Sequence, residues 1–450
     1  MAVGRKASRN EGKSRWSEKS SQLCKRLFLR PRQPRTVPSR RQAASPGVSY
    51  LDRLPVELFD MILDKLSVLE ISVFSMVSKD ICRYIMDYIS TLAWKKKAIS
   101  SHFHHPSCPE WVSTIQHYRD LGLLFKRCTL LLPTKERLRF IFNKFTHVPC
   151  FTLEQCLTPQ CSGFSSYGIF LQTLIAGWDE LECHRVFNFL CDNINLLQRT
   201  EAVITAKRGA NSFQELQLRF FCRRVLLDPW SQKPEGDFWL LQLLQPWPMV
   251  SQAHLLFILY GPLMPEGVLA WQDLVERELP HQALWDLAQA ILMLFSQFKA
   301  KHLTVDSIPA IFEELIVIPQ PWHVLNVARL LVLCGNDFCF TFLASKALNG
   351  RLPEISRLIV FIILVCEKDG YHMNWAVKLV KAVCDVFAKV NDKYNFIQQL
   401  ESKFSEVTRE FFEMSVSGNR FEDRETFQTL CILLDSGARF HTKFLHMLLK

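Results

Sequence analysis

Four side chains able to ligate a metal fall within "HVPCFTLEQCLTPQC": His147, Cys150, Cys156 and Cys161. Thiolates and an imidazole in tetrahedral array at about 2.0–2.3 Å would hold Zn²⁺. Five and four residues separate the sulfurs, however, and there is no CxxC; scattered thiols and a loop histidine explain the stretch as well. A second cluster, "HFHHPSC", gathers His102, His104, His105 and Cys108. Imidazoles could make it a metal or pH-sensitive site, but Pro106 and Pro109 mark a loop, and an exposed polar connector accounts for it. No nucleophile elbow, Walker loop, HExxH or dinucleotide fingerprint occurs. Fifteen cysteines and thirteen histidines allow many accidental pairs, and none carries the local signature of a catalytic dyad. The expectation is a chain with no metal, no cofactor and no catalytic centre of its own.

The surrounding chain sets the architecture. Its 450 residues suffice for two or three domains or one elongated array. A hydrophobic content of 48% with 22% charged residues is ordinary for a packed protein, and abundant Phe (34) with scarce Gly (16) favours helices. The net charge of +10 is not evenly spread: residues 1–50 hold thirteen Lys and Arg against two acids, and the remaining 400 residues sum to −1. The basic character therefore lies in a tail, not in a stripe across a folded nucleic-acid-binding surface. Residues 1–48, with "RPRQPRTVPSRRQAASPG", have too little apolar surface to offset ordering and are expected to be disordered. Such a tail suits nuclear import, an acidic partner or nucleic acid; an Arg- and Ser-rich start also fits a mitochondrial transit peptide, against which stand Glu11, Glu18 and the prolines. With no apolar leader and no disulfide spacing, the cysteines read as reduced, mostly buried thiols of a nuclear or cytoplasmic protein. The longest apolar runs, "LIVFIILVC" and "LLFILY", fall short of a membrane span.

From residue 51 the pattern becomes helical. Pro55 suits a first turn, and Leu58, Ile62 and Leu66 recur every four residues as one apolar stripe. Ser67 and Glu70 have capping-box spacing, so a second helix begins near Val68 with Ile71 and Phe74 on one face. Ser78 can cap a third, carrying Ile81, Ile85 and Ile89. Three helices in so few residues close only a marginal core and must lean on a partner or on the next domain.

Leu54-Pro55, Glu57-Leu58, Ile62, Leu66 and Val77-Ser78-Lys79, followed by Trp94, resemble the F-box motif in order and spacing. The chain departs from the pattern at Ile81, where many F-boxes have Trp. The resemblance implies contact with a Skp-type linker protein, and through it with a cullin scaffold, by Leu54, Pro55, Glu57, Leu58, Ile62, Leu66, Val77 and Lys79.

Beyond residue 95 helix follows helix. "WAVKLVKAVCDVFAKV" places Trp375, Leu379, Val383, Val386 and Val390 on one face, and "LWDLAQAILMLF" is apolar nearly all round, as in a buried helix. Prolines at 229, 234, 246, 248, 262, 265, 280, 309, 319, 321 and 353 read mostly as connectors. "LVLCGNDFCFTFL" and "ILLDSGARFHTKFL" share an apolar run, a glycine turn, then Phe and Phe-Leu; "ILVCEKDGYHMNW" is a looser copy. Glycines 335, 370 and 437 stand 35 and 67 residues apart, a period in the mid-thirties that fits helix-pair repeats as well as one irregular helical domain does.

The expected fold is all-α: a disordered tail (1–48), a small three-helix F-box (49–95), a helical connecting region (96–165) and a large α-helical, possibly solenoid-like domain (166–450). The resemblance implies a non-catalytic substrate receptor of a Skp–cullin–F-box ubiquitin ligase, with an unknown protein target on the C-terminal domain. A helical scaffold that stabilises a nuclear partner without ubiquitination, motivated by Ile81, and a nucleic-acid-associated protein acting through residues 1–48 are the alternatives. Replacing Leu54 and Pro55 together by Ala is expected to abolish co-purification with the linker while the C-terminal helices remain folded by circular dichroism.

Overall fold

The computed structural model describes residues 54–99, 111–152, 162–231, 236–301, 307–417 and 422–448. The expected tail, the cluster His102–Cys108, and Cys156 and Cys161 lie outside them. The described residues form twenty-one α-helices and no strand, only an isolated bridge between Leu263 and Leu269. No described helix is long and apolar enough to cross a membrane. The chain divides into two units, residues 1–59 and 60–450, with the boundary inside the first described helix.

That helix, α1 (Val56–Lys65), follows Pro55, whose carbonyl accepts the amide of Leu58 at 3.1 Å. α2 (Val68–Phe74) starts at the anticipated capping box: Ser67 Oγ accepts the Glu70 amide at 3.3 Å, and Glu70 Oε2 accepts the Ser67 amide at 2.7 Å. α3 (Lys79–Tyr88) is capped by Ser78, which accepts the Ile81 amide at 3.1 Å. α4 (Leu92–Ala98), capped by Thr91, carries Trp94 and spans position 95/96. Leu63, Ile71, Ile81, Ile85, Ile89 and Trp94 are buried together with Leu124 and Phe125 of α5 (Trp111–Cys128). The small unit therefore leans on the next element: α5 packs on α2 and α3, and Trp94 meets Phe125 edge-on at 6.3 Å. Tyrosine hydroxyls close the other side, Tyr84 donating to Asp60 at 2.8 Å and Tyr88 to Asp64 at 2.7 Å.

The body stacks further helices in sequence. The helix Val324–Leu333 is buried from Leu325 through Leu333, and the helix Leu352–Lys368 is buried continuously from Ile359 to Cys366. Polar groups inside this stack are paired. Asn326 donates to the carbonyls of Leu274 (3.0 Å) and Arg277 (2.8 Å) and accepts the Leu279 amide (2.9 Å), satisfying a frayed helix end. Arg329, 3% exposed, donates to Asp369 (2.7 Å), Glu278 (2.6 Å) and the Leu279 carbonyl (2.6 Å), and Lys368 also reaches Glu278 at 2.6 Å.

Several sequence expectations change here. Gly335 and Gly370 do turn the chain, with φ of +77° and +74°. Gly437 makes no turn: it lies inside the single helix Glu422–Leu448, because Leu433, Phe440 and Phe444 carry one buried row straight through it. The helix Met373–Asp385 stops before Val386, and Val390 opens the next helix fully at the surface; the buried face is instead Ala376, Val377, Leu379, Val380, Val383 and Cys384. The helix Trp285–Lys301 is not buried all round, since Trp285, Asp286 and Gln289 face solvent. Pro309 and Pro353 sit in first helical turns rather than connectors, where the missing amide has no partner to lose.

Burial by itself would raise the Glu278 carboxyl, but hydrogen bonds from Lys368 and Arg329 hold it below its ordinary 4.5. A depressed carboxylate contributes stability that is full above pH 4.5 and is lost as pH falls below it. Arg329→Ala removes the guanidinium from Asp369, leaves Glu278 with Lys368 alone, and is expected to destabilise the body by about 3–5 kcal/mol at neutral pH; urea denaturation should show the gap between variant and parent narrowing below pH 4.5.

Candidate docking face of the N-terminal helices

An α-helix this short can bury one face, and in α1 that face is Phe59 and Leu63, 6% and 0% exposed. The stripe singled out by four-residue spacing lies one residue over, at Leu58 (47% exposed) and Ile62 (41%), with Leu66 half-buried. Of the other F-box positions, Leu54 is half-buried, while Pro55, Glu57, Val77 and Lys79 are exposed. These residues are therefore not the core that holds the small unit together.

Ile81, the departure from the F-box pattern, is 5% exposed and packs in the core of the unit. It bears on internal packing and presents nothing to a partner.

Sequence reasoning missed Met61, Leu69, Val73 and Met76, all exposed. Leu69, Val73 and Val77 repeat at four-residue spacing, the same signal that picked out α1. Nine of the thirty exposed large apolar residues among the described residues lie within 54–99, about a tenth of the chain. Apolar surface is denser on this short segment than the single exposed apolar residues scattered over an ordinary surface.

Among the described residues no comparable chemistry gathers elsewhere. His147 is exposed and Cys150 buried, and among the described residues no three potential ligands come together. Burial pushes the thiols of Cys128, Cys191 and Cys366 up to about 12, which keeps them protonated and poorly nucleophilic. The body does contain open clefts. One of ≈ 710 Å³ is lined by Arg223, Tyr260, exposed Trp285, Asp286 and Met293. In it Arg223 is held by Asp228 at 2.7 Å and Asp286 at 3.0 Å and lies 4.6 Å from the Tyr260 ring centre. Such a lining of apolar rings and paired charges suits a polypeptide better than a small polar metabolite.

Comparison with known proteins gives this arrangement a lineage. The chain is 46% identical over 399 residues to F-box only protein 47 of Homo sapiens, and to the same degree to that of Mus musculus, covering 88% of this chain and 88% of each relative. It belongs to the F-box only protein 47 family. The family description "FBXO47, ARM repeats" matches residues 193–449, so the stacked helices of the body are armadillo repeats. No solved structure matches the chain.

Within this member of the F-box only protein 47 family, the one-residue offset on α1 separates folding from contact. Leu63→Ala is expected to destabilise the α1–α4 unit by about 2–5 kcal/mol, whereas Ile62→Ala should change stability by less than about 0.5 kcal/mol. Amide exchange across residues 60–98 reads the difference directly.

Proposed function

We propose that this chain is the substrate-recognition subunit of a Skp–cullin–F-box type ubiquitin ligase. The observation that carries the reading is the outward position of Ile62 and Val77, while Leu63 and Ile81 are buried. The motif residues are free to pack on a Skp-type linker, which joins them to the cullin scaffold. The armadillo repeats then hold the target protein along their surface, as solenoids present extended faces to polypeptides. The chain performs no chemistry in this role. It raises the effective concentration of a target lysine beside a charged conjugating enzyme. Action in the nucleus, the cytoplasm or both is part of the proposal, with the basic segment 1–48 supporting nuclear entry.

The scaffold reading drew its support from Ile81, and a buried Ile81 gives it no footing at the contact face. The two roles still differ in outcome: a receptor's target accumulates when the chain is depleted, whereas a stabilised client declines.

Ile62→Asp combined with Val77→Asp places two charges where apolar contact is proposed, at positions whose exposure spares the fold. Affinity for purified Skp-type linker, measured by calorimetry, is expected to fall by about 100-fold or more. Undiminished affinity would remove the assignment.

A further inference from the structure

Two leucines outside the F-box motif follow the end of α5 that is hydrogen-bonded to α2 and α3. Leu130 is 63% exposed and Leu131 75%, on the turn that follows α5. Adjacent exposed leucines are costly in a surface turn that has no use for them.

The turn is fixed in place. Thr129 is fully buried, and its hydroxyl accepts a hydrogen bond from Arg137 Nε at 2.8 Å. Arg137 Nη2 holds the Lys126 carbonyl at 2.9 Å, and its guanidinium lies 4.6 Å from the Trp178 ring centre. The Leu132 amide closes the turn on the Thr129 carbonyl at 3.1 Å. The leucines are thus carried on a braced support, which lowers the ordering cost of any contact they make.

Two cross-links place that support against the F-box. Arg127 donates to Ser72 Oγ of α2 at 2.8 Å. Cys82 Sγ of α3 donates to the Cys128 carbonyl at 3.4 Å. Ser75, at the end of α2, donates to the Ser72 carbonyl at 2.7 Å. Ser75 is followed directly by exposed Met76 and Val77, and Cys128 is followed two and three residues later by Leu130 and Leu131.

We propose that the docking face for the Skp-type linker continues beyond the F-box motif onto the Leu130–Leu131 turn, which acts as a second apolar anchor beside Met76 and Val77. This rests on the function proposed above. The occupant is the linker, not another partner, because the turn is fastened to the segment that carries Val77 and Lys79, two of the residues assigned to linker contact. A partner surface with an apolar centre and an acidic rim facing Lys79 fits this end.

The test uses the full chain and purified Skp-type linker. Leu130→Asp with Leu131→Asp is expected to weaken binding by about 10-fold or more, and Leu130→Met with Leu131→Met to restore it. Should the aspartates disturb the fold by circular dichroism, Leu130→Ala with Leu131→Ala gives the same comparison, with a loss of about 5-fold. Linker addition should also slow amide exchange at residues 130–132. If Ile62→Asp with Val77→Asp abolishes binding while the leucine variants stay within about 2-fold of the parent, the extension is wrong and the ligase reading stands. If neither pair of substitutions weakens binding, the ligase reading fails and takes the extension with it.

Discussion

The α1–α4 unit is too small to close its own core, and that shortage governs the N-terminal half of the structure. Leu63, Ile71, Ile81 and Ile85 can be removed from water only if another element covers them, and α5 provides the cover with Leu124 and Phe125. Once α2 and α3 are committed to α5, their remaining apolar residues have nowhere to go but outward. Val73, Met76 and Val77 are exposed because the inward positions are already taken. The same commitment ties the end of α5 to α2 and α3 through Arg127–Ser72 and Cys82–Cys128, and Leu130 and Leu131 follow that end in the chain.

The body solves a different problem. Armadillo repeats bury apolar surface against their neighbours, so polar groups trapped between repeats need local partners. Asn326 and Arg329 meet that need from a helix that is otherwise buried throughout. They tie the residues just before Pro280 to the helix Val324–Leu333 and to Asp369, three places far apart in sequence. The stack is thereby held in register by directional bonds as well as by apolar contact. The clefts along it keep mixed linings, such as Arg223 between two aspartates beside Trp285.

Legibility in the sequence followed the range of the interactions. Local features were readable: Ser67 with Glu70, Ser78 before Ile81, and the glycine turns at 335 and 370 depend on residues a few positions apart. Longer patterns were readable only in part. The echo around Gly437 had the right letters, but a glycine ends a helix only when packing stops there, and the row through Leu433, Phe440 and Phe444 does not stop. Trp285 looked like core because its neighbours are apolar, yet the adjoining repeats cover only one side of that helix.

The candidate face divides along the same line. The sequence by itself determined that α1 is a helix, where it begins, that the unit resembles an F-box, and that one apolar stripe recurs at 58/62/66; the neighbouring apolar pair Phe59 and Leu63 went unread. Periodicity cannot say which of two adjacent rows turns inward, since a rotation of one residue satisfies the same spacing. Tertiary packing decided that Phe59 and Leu63 are buried and that Leu58 and Ile62 are left to contact something else. It also fastened the end of α5 to α2 and α3, through Arg127–Ser72 and Cys82–Cys128, a link across some fifty residues that no local pattern encodes, because it depends on where α5 comes to rest.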